Sequence, residues 1–150
     1  MGIQRDPGFL RRLAQRIFTA SRLRILIVDP DREGARHIAS ALDREHITIV
    51  VGSATEAFAA LQSSTPSFVA AELDLPDASG LALLTALRGH PATQRVPFLM
   101  LSRRASLQDK IAAFQAGADD FLVKPIDPTT FADHVRRLVY FRQLLPTSGS

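Results

Sequence analysis

Four polar side chains close apolar runs in this sequence. Asp29 follows ILIV, Glu72 follows FVAA, Ser102 follows FLML and Lys124 follows DFLV. Two carboxylates, a hydroxyl and an ammonium, brought together, suit a divalent cation and a phosphoryl group. The carboxylates would hold the metal, and the hydroxyl and lysine would contact phosphate oxygens. They can meet only if the four runs are strands of one sheet that end at the same edge.

The hydrophobic periods support that arrangement. LRILIVD (23–29), ITIVV (47–51), SFVAAE (67–72), PFLML (97–101) and DFLV (120–123) read as strands, short and apolar throughout. Between them run helical patterns. Asp31 caps a helix from Arg32 to about Arg44, with Ala35, Ile38 and Leu42 on one face. Ser53-x-x-Glu56 opens a helix through Leu61. Ser79 caps one that carries Leu81, Leu84 and Leu87 and stops at Gly89. Ser106-x-x-Asp109 opens a fourth, with Leu107, Ile111 and Phe114 inward and Gly117 at its end. Asp127-Pro128 starts the last, with Phe131, Val135 and Leu138 on its core face. Five strand–helix units with continuous apolar strands predict an α/β fold with a doubly wound, five-stranded parallel sheet. The flavodoxin-like order 2-1-3-4-5 is expected, with the site at the switch between the first and third strands, whose ends carry Asp29 and Glu72.

Length and composition fit one domain: 150 residues, 46% hydrophobic and 22% charged. There is no cysteine, which excludes disulfide and thiolate chemistry, and the four histidines show no metal-ligand spacing. No apolar run reaches the roughly 20 residues of a membrane span, and no signal peptide is read, so a cytoplasmic location is expected. The net charge of +3 is uneven. Residues 1–24 hold six arginines against Asp6, and the remainder is mildly acidic, which argues against a nucleic-acid-binding core. The division expected is a basic amphipathic helix extension over 1–21, a domain over 22–143 and a flexible tail over 144–150. The extension would be an extra N-terminal helix with Phe9, Leu10, Leu13 and Ile17 as its apolar stripe. It is open whether that stripe packs on the domain, pairs with a second copy, or presents its arginines to a membrane or nucleic acid.

ILIVDPD, ELDLPDASGLALL, VPFLMLS and AGADDFLVKPID, in this order and spacing, make residues 23–142 resemble the receiver domain of bacterial two-component response regulators. The resemblance implies that an aspartate ending the third strand accepts a phosphoryl group from a histidine kinase. It implies Mg²⁺ on two acids after the first strand. Ser102 matches the hydroxyl, Lys124 the lysine, Pro125 the proline after it, joined by a bond commonly cis, and Phe121 the switch aromatic. Asp29 matches the first acid of the pair.

Two positions depart from the pattern. The second metal-binding acid is Pro30, and the acceptor position is Glu72. The family places Leu-Pro four residues and Gly eight residues after the acceptor, and Pro76 and Gly80 select Glu72 over Asp74, which falls in the loop. Glu is one methylene longer than Asp, and a displacement of about 1 Å can cost on the order of 100-fold in such a reaction. The pocket of Asp29, Pro30, Glu72 and Asp74 is therefore read as degenerate, with no catalytic residue and no bound Mg²⁺. Glu72 is expected to pair with Lys124, either as an on-like state or as a relic. The chain reads as a non-enzymatic pseudo-receiver that signals through protein contact without phosphorylation. A histidine kinase, an output domain or a second copy are the expected partners, docking on the last two helices and the fifth strand, with dimerisation there or through the N-terminal helix. The other readings are a phosphoacceptor that uses Glu72 or Asp74 with Mg²⁺, and a nucleotide-binding module that uses Arg103 and Arg104. Asp119 and Asp120 are read as a turn pair without a role.

Overall fold

Continuous apolar strands need both faces covered, so alternate residues should enter two separate cores. The computed structural model describes residues 22–144, with Gly8, Phe9 and Arg12, and shows that division. Strand β1 (Arg24–Val28) sends Ile25 and Ile27 into one core, and Leu26 and Val28 into the other. Strands β2 (Ile47–Val51), β3 (Phe68–Glu72), β4 (Phe98–Ser102) and β5 (Asp120–Val123) complete a parallel sheet of order β2-β1-β3-β4-β5. Helices α1 (Arg32–Ala39) and α5 (Pro128–Leu144) cover one face through Ala35, Ile38, Phe131, Val135 and Val139. Phe131 meets Phe68 edge to face, with centroids 6.5 Å apart. Helices α2 (Ala54–Ser63), α3 (Gly80–Arg88) and α4 (Leu107–Gln115) cover the other through Ala57, Leu83, Leu84, Leu87 and Ala113. The predicted strand order, and the switch between β1 and β3, are as expected.

The four predicted caps form. Asp31, Ser53, Ser79 and Ser106 accept from the backbone N–H groups of Gly34, Glu56, Leu81 and Asp109 at 3.0, 3.1, 3.0 and 3.4 Å. Each satisfies a donor that the first helical turn leaves without an intrahelical partner. The glutamate of the Ser53 capping box reaches one residue further back than expected, to the Gly52 N–H at 3.0 Å.

Two expectations are corrected. The first helix ends at Ala39, not near Arg44. Ser40 bonds the His37 carbonyl with both its N–H and its hydroxyl, at 3.1 and 2.6 Å. The chain then turns through residue 45. A hydroxyl that competes for a helical carbonyl is a known way to end a helix. The second correction concerns α4. Leu107, Ile111 and Phe114 point outward and are 71%, 46% and 49% exposed. Ala113 is buried, and Ala112 and Ala116 are half-buried. The small residues let α4 lie close on the sheet, which turns the bulky stripe to solvent. The predicted N-terminal helix over 1–21 lies outside the described residues except for Gly8, Phe9 and Arg12, which are helical, and the tail lies outside them from residue 145.

The loop after β3 is pinned at both ends. Gly80 starts α3 directly against the strand end: its N–H donates to the Leu73 carbonyl at 2.7 Å, and a Cβ there would lie 2.5 Å from the Glu72 carbonyl oxygen. Asp77 crosses to the start of α2. It accepts from the Ala54 and Thr55 N–H groups, both at 2.9 Å, and from the Thr55 hydroxyl at 2.6 Å. The Thr55 hydroxyl, followed by the backbone donors, holds the Asp77 carboxyl at about 2, below its ordinary 3.8. A depressed carboxyl adds stability that is complete above the unfolded value and is lost as pH falls through the folded one. Melting temperature should therefore fall between pH 3.8 and 2, and Asp77→Asn should flatten that part of the curve. Identical acid limbs for wild type and Asp77→Asn would remove this role for the carboxylate.

Candidate functional site

The parallel register brings the strand ends to one edge. Val28 pairs with Ala71, Glu72 with Leu101 and Ser102 with Val123. Asp29 leaves β1 with its N–H still bonded to the Val51 carbonyl at 2.8 Å, and Lys124 leaves β5 with its N–H bonded to the Ser102 carbonyl at 2.7 Å. Both side chains are thus fixed by the ladder itself. The Lys124–Pro125 bond is cis.

The lysine is shared by the two carboxylates. Its Nζ lies 2.5 Å from Asp29 Oδ2 and 2.7 Å from Glu72 Oε2. The three side chains are 17%, 3% and 6% exposed for Lys124, Asp29 and Glu72. Asp29 Oδ1 accepts from the Asp31 N–H at 2.9 Å. Glu72 Oε2 is fully buried and, among the described residues, has no aligned hydrogen-bond donor, so it is held by charge. Burial pulls the ammonium pKa down, but the close carboxylates of Asp29 and Glu72 outweigh it and hold the lysine above its ordinary value. The predicted Glu72–Lys124 pair is present, and Asp29 joins it.

A groove of about 500 Å³ opens over this cluster, lined by Asp29, Pro30, Asp31, Glu72, Asp74, Arg103 and Lys124. Pro30 brings no side-chain oxygen to its wall. Asp74 lies on the rim and is bonded to Arg104 Nη2 at 3.0 Å, and Arg104 also lies 3.9 Å from Asp109. Arg104 is thereby engaged inside the chain, while Arg103 faces the groove. Ser102 and Phe121 do not line it. The Ser102 hydroxyl is buried and accepts from the Arg104 N–H at 3.0 Å. Phe121 is buried in the core under α3 and α4.

The sequence reading missed one polar centre, at the opposite end of the sheet. Asp119 accepts from the Phe98 N–H at 2.8 Å, from Arg88 at 3.1 Å and from Arg142 at 2.7 Å. Arg88 also donates to the carbonyls of Gly117 and Val96, at 3.0 and 2.6 Å. Gly117, at φ +107°, makes the turn that brings its carbonyl there. Asp120 takes a separate partner, His134, at 3.0 Å. An arginine in the last turn of α3 was the only signal in the sequence.

Fold and site together define a receiver. The family model for the response regulator receiver domain matches residues 25–136, and the chain belongs to that family. It is 36% identical over 127 residues to an uncharacterized 76.5 kDa protein of Thiocystis violacea, covering 80% of this chain and 18% of that protein. It is 34% identical over 116 residues to the DNA-binding response regulator MtrA of Mycobacterium tuberculosis, covering 77% of this chain and 50% of MtrA. The chain thus spans half or less of the length of these curated relatives. Among solved structures it resembles the signal receiver domain of a signal transduction histidine kinase from Syntrophus aciditrophicus, with a TM-score of 0.73 and 28% identity, over 85% of this chain and 96% of that one. A CheY-like response regulator receiver domain protein from Methanospirillum hungatei JF-1 gives a TM-score of 0.74 at 25% identity, over 82% and 98%. A receiver domain acts in signal transduction, and no helix among the described residues is long and apolar enough to cross a membrane.

Proposed function

We propose that this receiver works without phosphoryl transfer, as a docking module in two-component signalling. The observation that carries the reading is the Lys124 ammonium seated between Asp29 and Glu72. A phosphoacceptor carboxylate must be free to attack in line, with a metal to neutralise the phosphate oxygens. Here the acceptor-position carboxylate faces an internal cation. The groove also fits Mg²⁺ poorly. That ion needs near-octahedral oxygen ligation, and both Asp29 oxygens already have partners. An oxygen of Asp31 caps α1, and Pro30 supplies none. The chain would then be a pseudo-receiver, neither enzyme nor phosphoacceptor.

Docking would use the outward stripe of α4, Leu107, Ile111 and Phe114, spaced i, i+4, i+7 on one helix face. A signalling protein or a second copy of the chain is the proposed occupant. The engagement of Arg104 with Asp74 and Asp109 weighs against a nucleotide held by the two arginines.

The test is incubation with a small-molecule phosphodonor and Mg²⁺, followed by intact mass. Unmodified wild type is expected, together with a phosphoryl adduct once Glu72→Asp and Pro30→Asp are combined. A wild-type adduct that disappears in Glu72→Gln or Asp74→Asn would overturn the proposal.

A further inference from the structure

His46 is fully buried where the chain enters the sheet. Its Nδ1 accepts the Leu23 N–H at 3.1 Å, and the neighbouring Ile47 N–H bonds the Leu23 carbonyl at 2.9 Å. The donor on Leu23 would otherwise be an orphan at the start of β1, and the imidazole satisfies it. This contact fixes the tautomer: Nδ1 has no proton, and Nε2 carries it. Among the described residues Nε2 finds no hydrogen-bond partner. The nearest carboxylate among the described residues, Glu45, is 3.9 Å away, too far for a bond. The other charges that act on the ring are cations: Arg22, just before β1, and Arg136 of α5, itself 3.8 Å from Asp133. Asp43, in the same loop as Glu45, is bonded to Thr48. β2 adds no charged residue.

An imidazolium cannot be housed in this geometry. Protonation puts a hydrogen on Nδ1, facing the Leu23 N–H, and leaves two buried donors with no acceptor. We propose that His46 is an acid-sensitive latch that holds the start of β1 to the loop before β2, and that its protonation opens residues 22–24 and 45–47 locally. Burial, opposed in part by Glu45, holds the histidine below its ordinary 6.5. The sign follows from linkage. A lowered folded value favours the neutral ring, so the latch is complete above pH 6.5 and is lost as pH falls through the lowered value.

Two-dimensional NMR with amide hydrogen exchange tests this on the whole chain. His46 should titrate below 6.5, the ordinary value of the imidazole. The Leu23 and Ile47 amides should lose protection, relative to intrinsic rates, as pH falls below 6.5, at least tenfold more than core amides such as that of Leu99. His46→Asn places an amide oxygen near the Nδ1 position without a titrating group. It should keep Leu23 protected and remove the pH dependence. Titration of His46 at or above 6.5 in wild type, or an unchanged acid response in His46→Asn, would overturn the latch. The wild-type titration decides the matter even if the variant does not fold.

Discussion

Lys124→Met should lower the unfolding free energy by about 3–5 kcal/mol at neutral pH, the cost of removing one partner from a buried ion pair. Two carboxylates, 3% and 6% exposed, would be left beside each other without a cation. Glu72→Gln should be mild, within about 1 kcal/mol, because Lys124 keeps Asp29 and a surplus negative charge is removed. A lysine paired with Glu72 alone would be stranded by this substitution, but Asp29 is a second partner. Asp29 is the residue that changes the sign of the comparison. The deficit of Lys124→Met should also shrink in acid, as protonating either carboxylate relieves the repulsion. The wild-type lysine, its value raised, contributes fully below 10.5 and loses that contribution only as pH climbs through the raised value. Urea denaturation of both variants at pH 7 and pH 4 checks all of this. Equal destabilisation by the two substitutions would show that the lysine is not shared.

Arg88→Ala should cost about 3 kcal/mol. Its guanidinium is 16% exposed and ties α3 to Asp119 and to the carbonyls before β4 and β5. Hydrogen bonds to charged groups are worth roughly 1.5–3 kcal/mol each, and the buried carbonyls would lose their donors. Arg142 would still neutralise Asp119, which keeps the loss below that of an isolated buried charge. Arg88→Lys should recover less than half, since an ammonium cannot serve the same fork of acceptors. A double-mutant cycle with Asp119→Asn measures the coupling. Additive effects would mean that the arginine acts by packing alone.

The strands and caps were legible because each rests on local chemistry. ITIVV and DFLV are found at the expected bounds, and Asp31, Ser53, Ser79 and Ser106 cap where their spacing says. The site was legible as a meeting of strand ends, since parallel register delivers Asp29, Glu72 and Lys124 to one edge. What could not be read was set by packing between distant elements. The stripe of α4 has ideal core spacing, yet Ala113 and Ala116 pack into the core in its place. Asp119 looked like half of a turn pair, because its partners lie 21, 23 and 31 residues away.

The shared lysine bears on how such chains are recognised. Removing an ammonium clamped by two buried carboxylates would strand both charges whether or not any phosphate is ever bound. Selection for a stable chain would keep Lys124 after selection for chemistry had ended. A Lys-Pro pair after the fifth strand is therefore no certificate of activity. On the proposed function, positions 30 and 72 are the ones that would report whether the site still has a reaction to perform.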